Sequence, residues 1–183
     1  MTKKLETYVA LLRGINVGGG NKISMAKLKI CFEDLRFENV RTYINSGNVI
    51  FTDSDHKSDE LAKKIEKSIK KEFGLDITVV VKDLGQIEKI CKKIPETWVN
   101  KDPMKTDVMF LWDAYDSEKV LDEIKINPEV DNVIYVKGAL IWNIDRKDYG
   151  KSGMGKLIGT SVYKNMTVRN VNTVRKLLEL MKH

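Results

Sequence analysis

The hydrophobic period of the first 82 residues switches repeatedly between that of a strand and that of a helix, and the order of the switches admits few folds. Tyr8–Leu12 is an apolar run of strand length. Ser24 suits a helix N-cap, and Met25, Leu28, Phe32 and Leu35 follow at helical spacing as far as Phe37. Val40–Ile44 and Val49–Thr52 are β-rich runs on either side of Asn45-Ser46-Gly47-Asn48, a hairpin signal. Ser58 is placed to cap a second helix, whose stripe of Leu61, Ile65, Ile69 and Phe73 stops at Gly74; Ile77–Val81 is a last strand. The order β-α-β-β-α-β is that of the ferredoxin-like split βαβ motif.

A connecting helix over 84–93 leads to a second, modified series. Val108–Trp112 reads as a strand and Ser117–Ile124 as a helix; Val133–Val136 and Leu140–Ile144 form a hairpin turning at Lys137-Gly138. Two helical segments close the chain, the last over Asn172–Met181, so the second series is βαββ followed by helices, without a closing strand. The fold class expected is α+β, with a ferredoxin-like subdomain over 1–82 and a βαββα subdomain with C-terminal helices over 83–183, packed as one unit.

Composition narrows the chemistry. The 183 residues are 42% hydrophobic and 32% charged, enough for a proper core. No apolar run approaches the length of a membrane span, and the N-terminal apolar stretch is too short for a signal peptide, so a cytoplasmic location is expected, with no membrane partner. Cys31 and Cys91 fall in helical patterns without ligand spacing and read as reduced packing residues. His56 lies in a polar stretch and His183 at the terminus, which leaves no material for a His-based metal site or a Ser-His-Asp triad; no metal is expected, and the cofactor stays unknown. The net charge of +6 is uneven: +5 over 1–95, −6 over 96–145 and +7 over 146–183. A basic C-terminal segment suits phosphates or nucleic acid, although solvated lysines on helix faces explain most such charge.

Three stretches stand out. Arg13–Asn21 (RGINVGGGN) follows the first strand, and glycines there either supply torsions that other residues resist or let the backbone approach another group. In the β-α-β-β-α-β topology this loop and Asn45–Asn48 lie at the same end of the sheet, where the first helix also begins with unpaired N–H groups and the positive end of its dipole. Arg13, Asn16, Ser46 and Asn48 offer donors, and Gly14, Gly18, Gly19 and Gly47 offer exposed backbone. Neither segment holds a His, Cys, Asp or Glu that would act as a base or metal ligand. The competing account is that turns use Asn, Ser and Gly for conformational reasons alone.

The second stretch, Gly150–Lys156, has the spacing of a Walker A loop, but Leu157 stands where Ser or Thr would bind magnesium, so a plain connection is the better account. In the third, Thr167–Val174, Asn170 or Asn172 is placed to cap the last helix, with Thr167 and Arg169 just ahead, either as a second anion site or as a clamp for that helix.

The blocks ALLRGINVGG, MAKL, TYINSGNVIF and TVRNVNTVRKL resemble the bacterial family called domain of unknown function 1697. The resemblance implies a cytosolic α/β protein with no agreed substrate or cofactor, and it singles out Arg13, Gly14, Asn16, Gly18, Gly19, Ser46, Gly47, Asn48, Thr167, Arg169, Asn170 and Thr173 without giving them roles. The chain departs from that pattern at Val171, where the family has Trp, and in KSGMGKL, where it has a Ser-Lys or Ser-Arg block and a Thr. The expectation is a protein that binds an anionic small molecule or nucleotide at the rim of Arg13–Gly20 and Asn45–Asn48. The alternatives are single-stranded nucleic-acid binding through the basic C-terminal segment, or an enzyme in which Asp107, Asp145 or Asp148 completes a site between the halves.

Overall fold

A computed structural model describes residues 5–18, 20–54 and 56–183. The chain divides into two units, one reaching to Gly85 and including Leu177–His183, the other Gln86–Lys176. The first unit holds β1 (Glu6–Leu12), α1 (Met25–Asp34), β2 (Glu38–Tyr43), β3 (Asn48–Asp53), α2 (Ser58–Phe73) and β4 (Val79–Asp83). Its sheet is antiparallel in the order β2-β3-β1-β4.

β1 is paired on both sides, and its residues Val9–Leu12 are buried. Tyr8, Ala10 and Leu12 face a core shared with Val49, Phe51, Val79 and Val81 and with the buried stripes of α1 and α2, while Val9, Leu11, Ile50 and Val80 on the opposite face are buried too. Burial of both faces is why the strand reads as a continuous apolar run rather than an alternation. Phe51 is the hub of the core. Its ring lies 4.4 Å from Phe37, 5.5 Å from Phe32 and 5.7 Å from Tyr8.

The helix ends differ slightly from the sequence reading. α1 stops at Asp34, where Leu35 and Arg36 N–H groups turn back to the carbonyls of Phe32 and Glu33 and Arg36 takes φ 67°, so Phe37 leaves the helix and reaches Phe51. Ser58 is the first helical residue rather than the cap; the Lys57 N–H donates to the Glu60 carboxylate at 3.2 Å. Gly74 ends α2 at φ 68°, its N–H returned to the Lys70 carbonyl, as a left-handed terminus favours.

The second unit holds most of α3 (Leu84–Lys93), then β5 (Met104–Leu111), β6 (Asn132–Val136), β7 (Ala139–Asp145), α4 (Ser161–Lys164), β8 (Met166–Asn170) and the start of α5 (Val171–Met181). It corrects the expectation of a missing closing strand. Met166–Asn170 is a strand paired antiparallel with β5 from Leu111↔Met166 to Asp107↔Asn170, giving the order β6-β7-β5-β8. The two sheets thus share one strand order. The connections differ: where the first unit has α1 and α2, the second has 3₁₀ turns at Glu118–Glu123, Arg146–Asp148 and Met154–Lys156 and the single turn of α4. The helix expected over Ser117–Ile124 is one of these turns, with the Ser117 hydroxyl accepting from the Lys119 N–H.

Because Phe51 touches the other three rings and is fully buried, Phe51→Ala is expected to lower stability by about 3–5 kcal/mol. Urea unfolding followed by circular dichroism checks this, and Phe51→Leu should recover more than half of the loss.

Candidate functional site

The register of β1 decides where the glycine loop goes. Leu11 faces Asn48 across β3, and Leu12 faces Val79 across β4, so the chain leaves β1 between the β2–β3 turn and the start of β4. Two backbone bonds seal the exit: the Leu12 N–H donates to the Gly47 carbonyl at 2.9 Å and the Arg13 N–H to the Thr78 carbonyl at 3.0 Å.

Asn16 organises the loop beyond that point. It sits at φ 54°, a left-handed torsion that Asn tolerates. Its amide nitrogen donates to the Ile23 carbonyl at 2.8 Å and to Asn45 Oδ1 at 3.0 Å, and its Oδ1 accepts the Ile23 N–H at 2.9 Å. Its own N–H reaches the Asn21 carbonyl, and the Asn21 side chain donates to the Gly14 carbonyl at 3.3 Å. One side chain therefore ties the loop to itself, to the start of α1 and to the hairpin turn.

The expected site residues divide by role. Gly47, at φ 71°, has no room for a side chain, since a Cβ would lie 2.8 Å from Leu12 Cβ and from Ile15. Asn48 is fully buried, donating to the Tyr43 carbonyl at 3.1 Å and to the Ser46 hydroxyl at 3.0 Å. These three residues shape the turn. Gly14 (φ 68°) and Gly18 (φ 59°) are different: both are exposed, with open space where a Cβ would stand. Torsion alone demands glycine there, and the backbone faces solvent. Arg13 is half-buried; Gly19 lies outside the described residues. At the start of α1 the Ser24 hydroxyl makes no capping bond, the first turn carries no acidic residue, and it includes Lys27.

Thr167, Arg169 and Asn170 belong to the second unit, on β8. The Arg169 guanidinium donates to the Thr167 hydroxyl at 3.0 Å and the Val168 carbonyl at 2.8 Å, and burial pulls its pKa down to about 10 by disfavouring the charged form. Asn170 caps α5 by accepting the Thr173 N–H at 2.9 Å. Asp107, Asp145 and Asp148 pair with Lys105, Lys147 and Lys151.

The Walker-like loop encloses an anion of its own chain, which the sequence did not disclose. Asp131 is buried and accepts from the Trp142 indole at 3.0 Å, the Asn127 N–H and the Gly153 N–H at 2.8 Å each, and the Ser152 hydroxyl. Burial by itself raises the carboxyl pKa, but these donors outweigh it and hold the group below the ordinary carboxylate value. A Cβ on Gly153 would stand 1.4 Å from the Lys125 carbonyl oxygen, so this glycine serves close backbone approach. Among the described residues no group of three or more His, Cys, Asp or Glu is placed to hold a metal ion, and no helix is long and apolar enough to cross a membrane.

A family described as "Protein of unknown function (DUF1697)" matches residues 5–142, and the chain belongs to it. A solved structure of a conserved bacterial protein from Streptococcus pneumoniae is similar over 97% of this chain and 99% of its own, at 27% identity with a TM-score of 0.84. No curated protein matches the chain at a significant level.

Two outcomes follow from the side-chain bonds. Asn16→Gly keeps the left-handed torsion and loses the amide's bonds, an expected loss of about 1–3 kcal/mol, and Asn16→Ala should cost about 1 kcal/mol more through strain; denaturant unfolding of the pair separates the two terms. Asp131→Asn should destabilise the protein by about 3 kcal/mol at neutral pH. Because the Asp131 pKa is depressed in the folded protein, its contribution is present above the unfolded carboxyl pKa and lost as pH falls through the folded one. The wild-type advantage over Asp131→Asn, read from melting curves between pH 7 and 2.5, should therefore narrow only at the acid end.

Proposed function

We propose that this member of a family of unknown function binds a phosphate-bearing small molecule at the rim formed by Arg13–Gly20 and Asn45–Asn48 of its first unit. The observation that carries this reading is the exposed backbone at Gly14 and Gly18, held in left-handed torsions by a loop that Asn16 and Asn21 close from within. Exposed backbone on a loop that is already braced needs little further ordering when an anion arrives. Arg13 supplies charge, and the acid-free first turn of α1 adds the positive end of its dipole. In this reading Asn16, Ser46, Gly47 and Asn48 build the rim, while Arg13, Gly14 and Gly18 meet the ligand.

We take both sheets as ferredoxin-like: a strand order of 2-3-1-4 with antiparallel pairing supports this in each unit. The sheet aromatics speak against stacked single-stranded bases, since Tyr8 and Phe51 are buried in the core. The rim has donors without a base, so holding an anion is its best-supported chemistry. The two cysteines, Cys31 and Cys91, which lie on helical patterns without ligand spacing, fit a reducing compartment and hence the cytoplasm.

Titration of the ¹⁵N-labelled protein with inorganic phosphate should produce saturable shifts at the Gly14 and Gly18 amides. Arg13→Ala should weaken the fitted affinity by about tenfold, the loss of one charge-assisted contact. Unmoved rim amides with phosphate and with nucleoside phosphates, together with unchanged melting temperatures, would sink the proposal.

A further inference from the structure

The long helix of the first unit carries a charge pattern that helix physics disfavours. Residues three and four positions apart are neighbours on a helix surface, and like charges at those spacings repel. All four such neighbours of Lys67 on α2 are lysines: Lys63, Lys64, Lys70 and Lys71. Three of these five lysines have a partner. Lys64 Nζ lies 5.0 Å from the centre of the Phe37 ring, Lys70 pairs with Asp76 at 2.8 Å, and Lys71 stands 3.9 Å from Glu72. Lys63 and Lys67 are exposed and make no ion pair among the described residues. Glu66 stands three residues from Lys63 and four from Lys70, the spacing of a helix ion pair, yet its Oε1 accepts the Val79 N–H at 2.9 Å instead.

These side chains meet around one space. Lys63, Glu66, Lys67 and Lys70 of α2, with Asp76 and Thr78 on the segment that leads into β4, line an open groove of about 460 Å³. The volume suits a small ligand, but the lining is dominated by charge. Lysine ammonium groups on flexible stems attract phosphate as point charges, without the bidentate geometry that arginine imposes. Lys63 and Lys70 are separated by about 10 Å along the helix axis, so a single phosphate cannot meet all three groove lysines and a chain of phosphates can. Grooves that hold single-stranded nucleic acid add aromatic rings on which bases stack, and no aromatic ring lines this one.

We propose that this groove binds linear polyphosphate, a phosphate chain without bases, lying along α2 from Lys63 to Lys70 with Lys67 at its centre. The bond from Val79 holds the Glu66 carboxylate to the backbone, and the Thr78 hydroxyl offers a donor on the opposite wall. A polyanion in this position relieves the repulsion that the lysines exert on one another. The groove is built by α2 and the entry to β4, and its occupancy is independent of the rim.

Titration of the ¹⁵N-labelled protein at low salt with inorganic tripolyphosphate, with orthophosphate and with pentathymidylate, which carries a similar charge, tests this. Tripolyphosphate should shift the amides of Lys63–Lys71 and Thr78 saturably and bind about tenfold more tightly than orthophosphate. Lys67→Gln should weaken tripolyphosphate binding about tenfold, whereas Lys71→Gln, the same charge change on the same helix outside the groove, should weaken it by no more than about twofold. Asp76→Asn, which releases Lys70, should tighten it about threefold. Lys67→Glu should abolish binding and raise the melting temperature of the ligand-free protein, because it sets a carboxylate among four lysines; a lysine kept for stability would give the opposite thermal shift. Absence of tripolyphosphate binding, shifts confined to Gly14 and Gly18, equal losses from Lys67→Gln and Lys71→Gln, or tighter binding of pentathymidylate than of tripolyphosphate would each overturn the proposal.

Discussion

The approach of Gly47 to β1 is the contact on which the rim depends. The Leu12 N–H ends the strand on the Gly47 carbonyl, and the turn comes so close that Leu12 and Ile15 occupy the space of a side chain. With the turn pressed against the strand end, Asn45 comes within reach of Asn16, and Asn16 in turn fixes Ile23 and the entry to α1. A side chain at position 47 would push the turn away by at least the overlap it creates, and the Asn16–Asn45 bond, at 3.0 Å, has little length to give. The glycines of the loop are a separate matter: Gly14 and Gly18 satisfy torsions and exclude nothing.

This separation explains what the sequence disclosed and what it concealed. The helices and strands of the first unit were legible because their stripes are apolar at one clear period, as in Leu61, Ile65 and Ile69, all fully buried. The position of the turn beside the loop was legible too, since it follows from strand order alone. β8 was concealed because its inward residues on one face are Thr167 and Arg169, whose polarity imitates a helix-capping segment; only Met166 and Val168 carry the strand's apolar face. The roles of Asn16 and Asp131 were concealed for another reason. Which carbonyl an amide finds, or which four donors a carboxylate finds, depends on contacts between segments distant in sequence.

The two units show how one strand order is completed by different means. In the first, α1 and α2 cover the sheet with apolar stripes. In the second, short 3₁₀ turns cover Trp142, Met109 and Leu140, and turns of that length have too few apolar residues to hold themselves in place by burial. The buried Asp131 takes over part of that task by binding Asn127, Ser152 and Gly153 to Trp142 through hydrogen bonds. Directional bonds to a charge hold a loop in one geometry where apolar contact would permit several.

The rim uses the same device in the opposite sense. Around Asp131, loop N–H groups converge on an anion that the chain supplies, and the glycine there is closed in by the Lys125 carbonyl. Around Gly14 and Gly18 the loop is braced by neutral amides of Asn16 and Asn21, which satisfy carbonyls and leave the space over the glycines open. A carboxylate in the place of Asn16 would accept the Ile23 N–H equally well, but it would lose the bonds that the amide donates to the Ile23 carbonyl and to Asn45 and would add a charge to the loop. The choice of Asn therefore ties the loop to itself, to the entry of α1 and to the hairpin turn without adding a charge.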